Sequence, residues 1–437
     1  MTFRPGHPDH SLPLARQAAP RRQAPGFQHA PGSETGALLA DGSERHALVI
    51  APTGAGKGRS VLLPWLLSYR GSAIVVDPTG EAATVTARCR REMGQAVCVI
   101  DPWHADSGAP AINPLQVMLE GSSDLGDDCL SLAELIVGEA PTSLQDPFWR
   151  ALALNLLAAL IGWIWVRPVL TGESQHDDRC LAGVWALMHG DDMTYAMAVV
   201  LDVHGKKPGF PRFVHEGFVT FLNHEAEKVR TSVRSEAVSL LRIFGSARVQ
   251  AATASTTAPL GALRDGAAAT VYLVVPPDRL ESHAAYLRIM LGTLLAVMVR
   301  RTARPALPTL FLVDELGHLG PIPQLRQAVT LLRGYGVRVA LFVQSMAQLR
   351  SLWPRDHETI LENCGLWLNF GNTSLAAARQ VAEQLGDLSA EALFQLGADG
   401  IAIHRAGQPT LLAQRLDYLS DPMFQGRFDP HPLHIAR

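Results

Sequence analysis

Lysine is scarce in this chain: four among 437 residues, against a Lys+Arg total of 38. Formal net charge is −3 at pH 7, so no global basic field draws in nucleic acid, and any DNA contact is confined to a loop or a pore. Cysteine is scarce as well. Cys89, Cys98, Cys129, Cys180 and Cys364 form no CxxC pair and are odd in number, which argues against a disulfide framework and for reduced cytosolic thiols. Long hydrophobic runs are few. Ala151–Val166 is broken by Asn155 and is too short to span a bilayer; Ile289–Val299 is shorter and ends in Arg300-Arg301. Both read as buried helices, and no secretory signal is evident. The expectation is a cytoplasmic protein, peripheral to a membrane only through partners. What remains is 47% hydrophobic and 18% charged, a globular composition long enough for two or three domains.

One of the few lysines sits at a telling spot. The apolar run Ala47–Ala51 reads as a short buried strand, the Gly-rich Pro52-Thr53-Gly54-Ala55-Gly56-Lys57-Gly58 follows at once, and Arg59–Tyr69 reads as a helix. Strand, Gly-rich loop and helix are the parts of a phosphate-binding P-loop. Gly54 and Gly56 let backbone N–H groups turn inward around phosphate oxygens, the helix N-terminus adds partial positive charge, and Lys57 reaches the β- and γ-phosphates. The consensus would have Gly at position 51 and a hydroxyl after the lysine; this chain has Ala51 and Gly58. A hydroxyl there normally helps hold Mg²⁺.

Residues 1–35, rich in Pro, Gly, Arg and His and without periodicity, read as a disordered arm. Beyond the P-loop come a strand ending in a carboxylate, Ser72–Asp77, a helix over Glu81–Met93 and a strand over Ala96–Asp101. This alternation predicts a mostly parallel α/β sheet. From Asn113 to Gly261 only helix-period segments occur, a stretch of ~140 residues and thus an ordinary domain size. The sheet resumes with Thr270–Val275, Thr309–Val313, Arg338–Val343, Leu366–Phe370, Gly400–His404 and Thr410–Gln414. The expected organisation is an arm (1–35), a nucleotide-binding domain (36–114 with 262–437) and an all-α insertion (115–261).

Leu310-Phe-Leu-Val-Asp314-Glu315 delivers two carboxylates at a strand's C-terminal end, where α/β ligands bind. Paired with the P-loop, Asp314 is the expected Mg²⁺ ligand through water, and Glu315 the general base acting on the attacking water. Gln344, ending the next strand, is a candidate to sense the γ-phosphate or orient water. The competing task of capping the helix near Met346 suits Ser345 better. Arg230, Arg234 and Arg379 are candidates for an arginine supplied to a neighbouring site. Lys206-Lys207, Arg300-Arg301, Trp163, Trp165 and Trp353 are too scattered to mark a single-strand groove.

These motifs in this order resemble the type IV secretion coupling proteins, the TraG-type conjugation ATPases. Ala51-Pro-Thr-Gly-Ala-Gly-Lys-Gly58 with Pro64-Trp-Leu-Leu67 is similar to their P-loop, which also carries Gly after the Lys. Asp77-Pro-Thr-Gly-Glu81 resembles their Asp-x-Lys-Gly-Glu, with Thr79 in place of Lys, and Ile112-Asn-Pro-Leu115 their Asn-Pro-Leu. Asp146-Pro-Phe-Trp149, Val313–Gly320 and Gly334–Ser345 follow in the family's order, so that the likeness spans Gly36 to Arg427. The resemblance implies a RecA-like P-loop NTPase core interrupted by an all-α domain that receives cargo, assembled as a hexameric ring around a channel. It implies ATP and Mg²⁺ as ligands, with Lys57, Asp314, Glu315 and Gln344 facing nucleotide. Its partners are inner-membrane components of the secretion channel, and its cargo is relaxase-bound single-stranded DNA or effector protein. Most members begin with transmembrane helices, whereas a polar arm precedes this P-loop. A nucleotide-gated adaptor with little turnover is the alternative to a motor.

Overall fold

In the computed structural model, which describes residues 11–17, 36–104, 108–138, 147–172, 178–224, 226–319 and 322–431, the strands join in one eleven-stranded sheet. They are β1 (Leu12–Arg16), β2 (Leu38–Asp41), β3 (Ala47–Ile50), β4 (Ala73–Asp77), β5 (Ala96–Ile100), β6 (Ala269–Val274), β7 (Thr309–Val313), β8 (Val337–Val343), β9 (Leu366–Asn369), β10 (Gly400–Arg405) and β11 (Leu411–Arg415). Their order is β2-β1-β11-β10-β9-β3-β8-β7-β4-β6-β5. Every neighbouring pair from β9 to β5 is parallel. From β9 outward through β10, β11, β1 and β2, every pair is antiparallel.

The central strands are buried along their whole length, as a parallel sheet covered on both faces must be. Alternation along each strand sorts the side chains into two cores. Val49, Val75, Leu310 and Phe342 face the helices Leu63–Ser68 and Glu81–Glu92. Leu48, Val76, Phe311 and Leu341 face the other way, into an apolar cluster that runs on without a break through the helical segment. That segment, from Pro114 to Arg264, contains helices and no strand among the described residues. At its centre lies the helix Pro147–Thr171, long and apolar enough to cross a membrane. Its Leu156, Leu157, Leu160, Ile161 and Ile164 are buried against neighbouring helices. All five cysteines are buried.

The arm expected over residues 1–35 needs correcting where the chain is described. Leu12–Arg16 is a strand, with Leu12, Leu14 and Ala15 buried between β2 and β11. Pro13 hides it from the sequence, because a proline donates nothing to a ladder. Here the register shifts between Pro13 and Ala15, and the Pro13 carbonyl accepts a hydrogen bond from the buried Trp65 Nε1 at 2.8 Å. The sheet therefore recruits chain from before residue 36. Residues 1–10 and 18–35 lie outside the described residues.

Two buried arginines, Arg338 and Arg90, pin the sheet. Arg338 on β8 pairs with Asp41 at the end of β2 (2.6 Å), and Arg405 on β10 approaches the same carboxylate at 3.5 Å. Arg90 is fully buried and donates to Gly71 O (2.6 Å), Gln95 Oε1 (2.8 Å), Thr270 Oγ1 (2.9 Å) and Leu66 O (3.2 Å). It thereby satisfies a carbonyl in the last turn of the helix behind the P-loop. Burial pulls its pKa down to about 10.

Candidate functional site

The P-loop leaves β3 where Ala51 N still donates to Val343 O of β8 at 3.0 Å. Gly54 (φ +78°) and Gly56 (φ +86°) then take left-handed conformations that cost side-chain-bearing residues free energy. Between them the turn closes through Ala55 N donating to Pro52 O at 3.2 Å. Lys57 is buried, and its ammonium donates to Ala51 O at 3.2 Å. The helix expected over Arg59–Tyr69 begins earlier and differently. Gly58–Leu62 is a π-turn and Leu63–Ser68 is α-helical, and such wide turns concentrate at functional sites. Arg59 is exposed and makes a bidentate pair with Asp417, Nε to Oδ1 at 2.5 Å.

The acidic strand ends at the same edge of the sheet. Ile50 pairs with Val343, Leu341 with Val313, and Val313 with Val76. Ala51, Gln344 and Asp314, just past their strands, and Asp77, the last residue of β4, therefore gather together. Burial and the neighbouring Glu315 push the Asp314 pKa up to about 6, while the Lys57 ammonium acts on it in the opposite sense. Burial likewise raises Asp77 to about 6, although its Oδ2 accepts from Ala83 N at 2.8 Å. Glu315 is the one non-glycine residue with positive φ among the described residues, at +52°. Backbone strain of this kind, ~1–3 kcal/mol, persists where surrounding structure imposes it and clusters at active sites. Its Oε2 accepts from Gln344 Nε2 at 3.2 Å. Ser345 meanwhile takes the capping task, its Oγ accepting from Gln348 N at 3.2 Å. Gln344 is left aimed at the carboxylate.

Sequence reasoning missed the residues that close the loop from the antiparallel side. Arg415 of β11 donates from Nη1 to Ala55 O, with its guanidinium carbon 5.1 Å from the Phe370 ring centroid. Gly371 (φ +70°) comes so near that a Cβ there would lie 2.6 Å from Ala55 Cβ. No local pattern announces either, because both depend on distant strands becoming neighbours.

Hard carboxylate oxygens with one ammonium suit Mg²⁺. Among the described residues no three metal-ligating side chains converge on one point. That fits an ion held mainly by phosphates and water, with one or two protein ligands. Asp314 is the carboxylate on which the Lys57 ammonium acts, and Glu315 is the one bonded to Gln344. A separate cleft of about 960 Å³ lies between Pro114–Leu119, Leu125–Val137 and Leu260–Arg264, lined by Glu120, Asp124, Asp127 and Arg300. Arg300 there is bound to Asp128 and to backbone carbonyls.

The family model for type IV secretory system conjugative DNA transfer matches residues 20–393. The chain belongs to that family. It is 26% identical over 366 residues to the conjugal transfer protein TraG of Agrobacterium fabrum, covering 82% of this chain and 54% of that protein. It is 26% identical over 414 residues to the protein VirD4 of the same organism, covering 88% and 57%. The chain thus spans little more than half the length of these relatives. Among solved structures, the plasmid coupling protein TrwB in complex with ADP and Mg²⁺ superposes with a TM-score of 0.64 at 15% identity, covering 87% and 88%. This member of the conjugative DNA transfer family accordingly has the coupling-protein fold, an α/β RecA-like P-loop core with a mostly parallel sheet.

Within that fold the arginine candidates separate. Arg230 donates to His224 O in the loop before its own helix, and Arg234 donates to Met188 O at 2.6 and 3.0 Å, tying its helix to the helix Leu181–Met188. Arg379 lies exposed on the helix Leu375–Leu385 that follows β9. Arg301 is bound to Leu263 O and Gly336 O, and Trp163 and Trp353 are core residues, so they form no strand-binding groove. Asp146 and Gly320 lie outside the described residues.

Proposed function

We propose that this chain binds ATP with Mg²⁺ on the P-loop and hydrolyses it as a translocase-type coupling protein. The work of the cycle drives relaxase-bound single-stranded DNA, or protein cargo, into a type IV secretion channel. The observation that carries the reading is convergence: Lys57 acts electrostatically on Asp314, while Gln344 holds the carboxylate of Glu315. Backbone N–H groups of Thr53 to Arg59 cradle the phosphates, following Pro52, and Lys57 neutralises charge on the β- and γ-phosphates. Mg²⁺, held through water by Asp314, would supply Lewis-acid stabilisation of the phosphoryl group. Glu315 takes the proton of the attacking water, and Gln344 orients that water.

The same reading assigns a homo-oligomeric, hexameric ring, with exposed Arg379 reaching a neighbouring subunit's nucleotide. Residues 36–114 and 262–437, joined by the strand at 12–16, form the motor domain, and 115–261 form an all-α domain that receives cargo. Docking to inner-membrane channel components from the cytoplasmic side follows. Ala51 in place of the P-loop's first Gly and Thr79 in place of the family's Lys favour a second reading: a nucleotide-gated cargo adaptor with little turnover. Steady-state and single-turnover ATPase rates with and without single-stranded DNA separate the two. DNA-stimulated hydrolysis abolished by Lys57→Ala supports the motor. Tight ATP binding with negligible turnover supports the adaptor.

A further inference from the structure

The P-loop of this chain is short of one oxygen. The position after Lys57, where a hydroxyl ordinarily joins the metal's coordination, is Gly58. The next hydroxyl along, Ser60 Oγ, lies 3.9 Å from the Cβ position of Gly56, one turn of chain away from that place. A Cβ built on Gly58 meets a single atom within 4 Å, Glu81 Oε2, at 3.9 Å. A carboxylate from the start of the helix that follows β4 thus faces the spot that the missing hydroxyl would occupy.

Glu81 opens the helix Glu81–Glu92, behind Gly80 in a left-handed conformation (φ +70°). Its backbone N–H donates to Thr79 Oγ1 at 3.3 Å, and its half-buried side chain has no hydrogen-bond or ion-pair partner among the described residues. Its charge also bears on Asp314 and Asp77, two buried carboxylates. Like charges that act on one another in this way favour the arrival of a cation near them. The competing role is local: an acid in a helix's first turn stabilises that helix.

We propose that Glu81 replaces the absent P-loop hydroxyl as an oxygen ligand for the Mg²⁺ of bound nucleotide. The proposal rests on reading the site as one for nucleotide with Mg²⁺. A carboxylate differs from a hydroxyl in its charge. It strengthens the hold on the metal–nucleotide complex, and it repels nucleotide that arrives without metal. Metal dependence is therefore the signature, and a purely helix-stabilising acid would not produce it.

The test uses the full chain, a non-hydrolysable ATP analogue, and Mn²⁺ as a paramagnetic stand-in for Mg²⁺. Titration calorimetry reads analogue affinity with and without metal, and electron paramagnetic resonance reads bound Mn²⁺. Glu81→Gln should raise the Mn²⁺ concentration needed for half-maximal analogue binding about tenfold, while metal-free analogue binds as tightly as to the parent or tighter. Gly58→Ser added to Glu81→Gln should restore the metal requirement to within about threefold of the parent. Gly58 is not left-handed and the contact is an ordinary one, so serine fits there. If Glu81→Gln only lowers the melting temperature and leaves the metal requirement at the parental value, the helix role is correct and the proposal is overturned, while the nucleotide site stands. If the parent binds no analogue with or without Mn²⁺, the proposal and the site reading are both overturned.

Discussion

The two halves of the sheet were built by different means. In the parallel half, β9 to β5, each strand is a short apolar run that announces itself, and the polar residues ending those runs are the site. In the antiparallel half, β10, β11, β1 and β2 come from the two ends of the described chain; β10 and β11 are legible as strands, whereas β1, with its proline, and β2 are not. Yet this second half holds the P-loop from outside through Arg415 and anchors a central strand through Asp41 and Arg338. The P-loop and the acidic strand end thus lie in the part of the sheet that is easier to read, while part of their support lies in the part that is harder to read.

The sharpest contrast should come from the readable half. On the proposed roles, Glu315→Gln removes the base and spares the metal ligand Asp314, so hydrolysis should fall about 10²–10⁴-fold with ATP affinity nearly unchanged. Turnover at the parental rate would show that Glu315 has another task. From the other half, Asp41→Ala leaves Arg338 buried without its carboxylate, and unfolding in urea should show a loss of about 3–5 kcal/mol. A loss below about 1 kcal/mol would mean that the antiparallel strands are an appendage.

A third measurement probes the seam between the halves. His46 leads into β3, its Nδ1 accepts from Val339 N at 2.9 Å, and burial with nearby Arg338 lowers its pKa to about 4. The unfolded chain therefore takes up the proton first as pH falls, and the stability contributed by neutral His46 is present above pH ~6.5 and lost towards pH ~4. Asp77 and Asp314, raised to about 6, work in the opposite direction over the same range. The difference between parent and His46→Asn, which keeps an acceptor, isolates the histidine. Going from pH 7 to 4, the parent should lose up to about 3 kcal/mol relative to the variant. The smallest effect expected is that of Arg415→Ala. It removes one hydrogen bond to Ala55 O, and ATP affinity should drop about fivefold to tenfold, or about 1 kcal/mol, with little change in stability. Unchanged affinity would confine the role of the antiparallel half to folding.

Legibility followed the range of the interactions. The Gly-rich loop with Lys57 and the strand end with Asp314 and Glu315 were legible because both are short runs whose requirements are local. The role of Gln344 was divided on the page between sensing and capping. Only the placed Ser345 Oγ and Glu315 Oε2 assigned capping to the serine and left the glutamine facing the acid. Arg90 and Arg415 carried no signal at all, since a guanidinium's value lies in carbonyls brought from elsewhere in the chain.

By itself, then, the order of residues determined the α/β class, the all-helical stretch in the middle and the identities of the phosphate and acid motifs, since period and turn chemistry act over a few residues. The tertiary structure alone decided that Leu12–Arg16 joins the sheet, that Asp41 meets Arg338, and that Glu81 faces Gly58. Those are meetings between segments tens to hundreds of residues apart, and what selects them is the packing of two continuous cores on either side of one sheet.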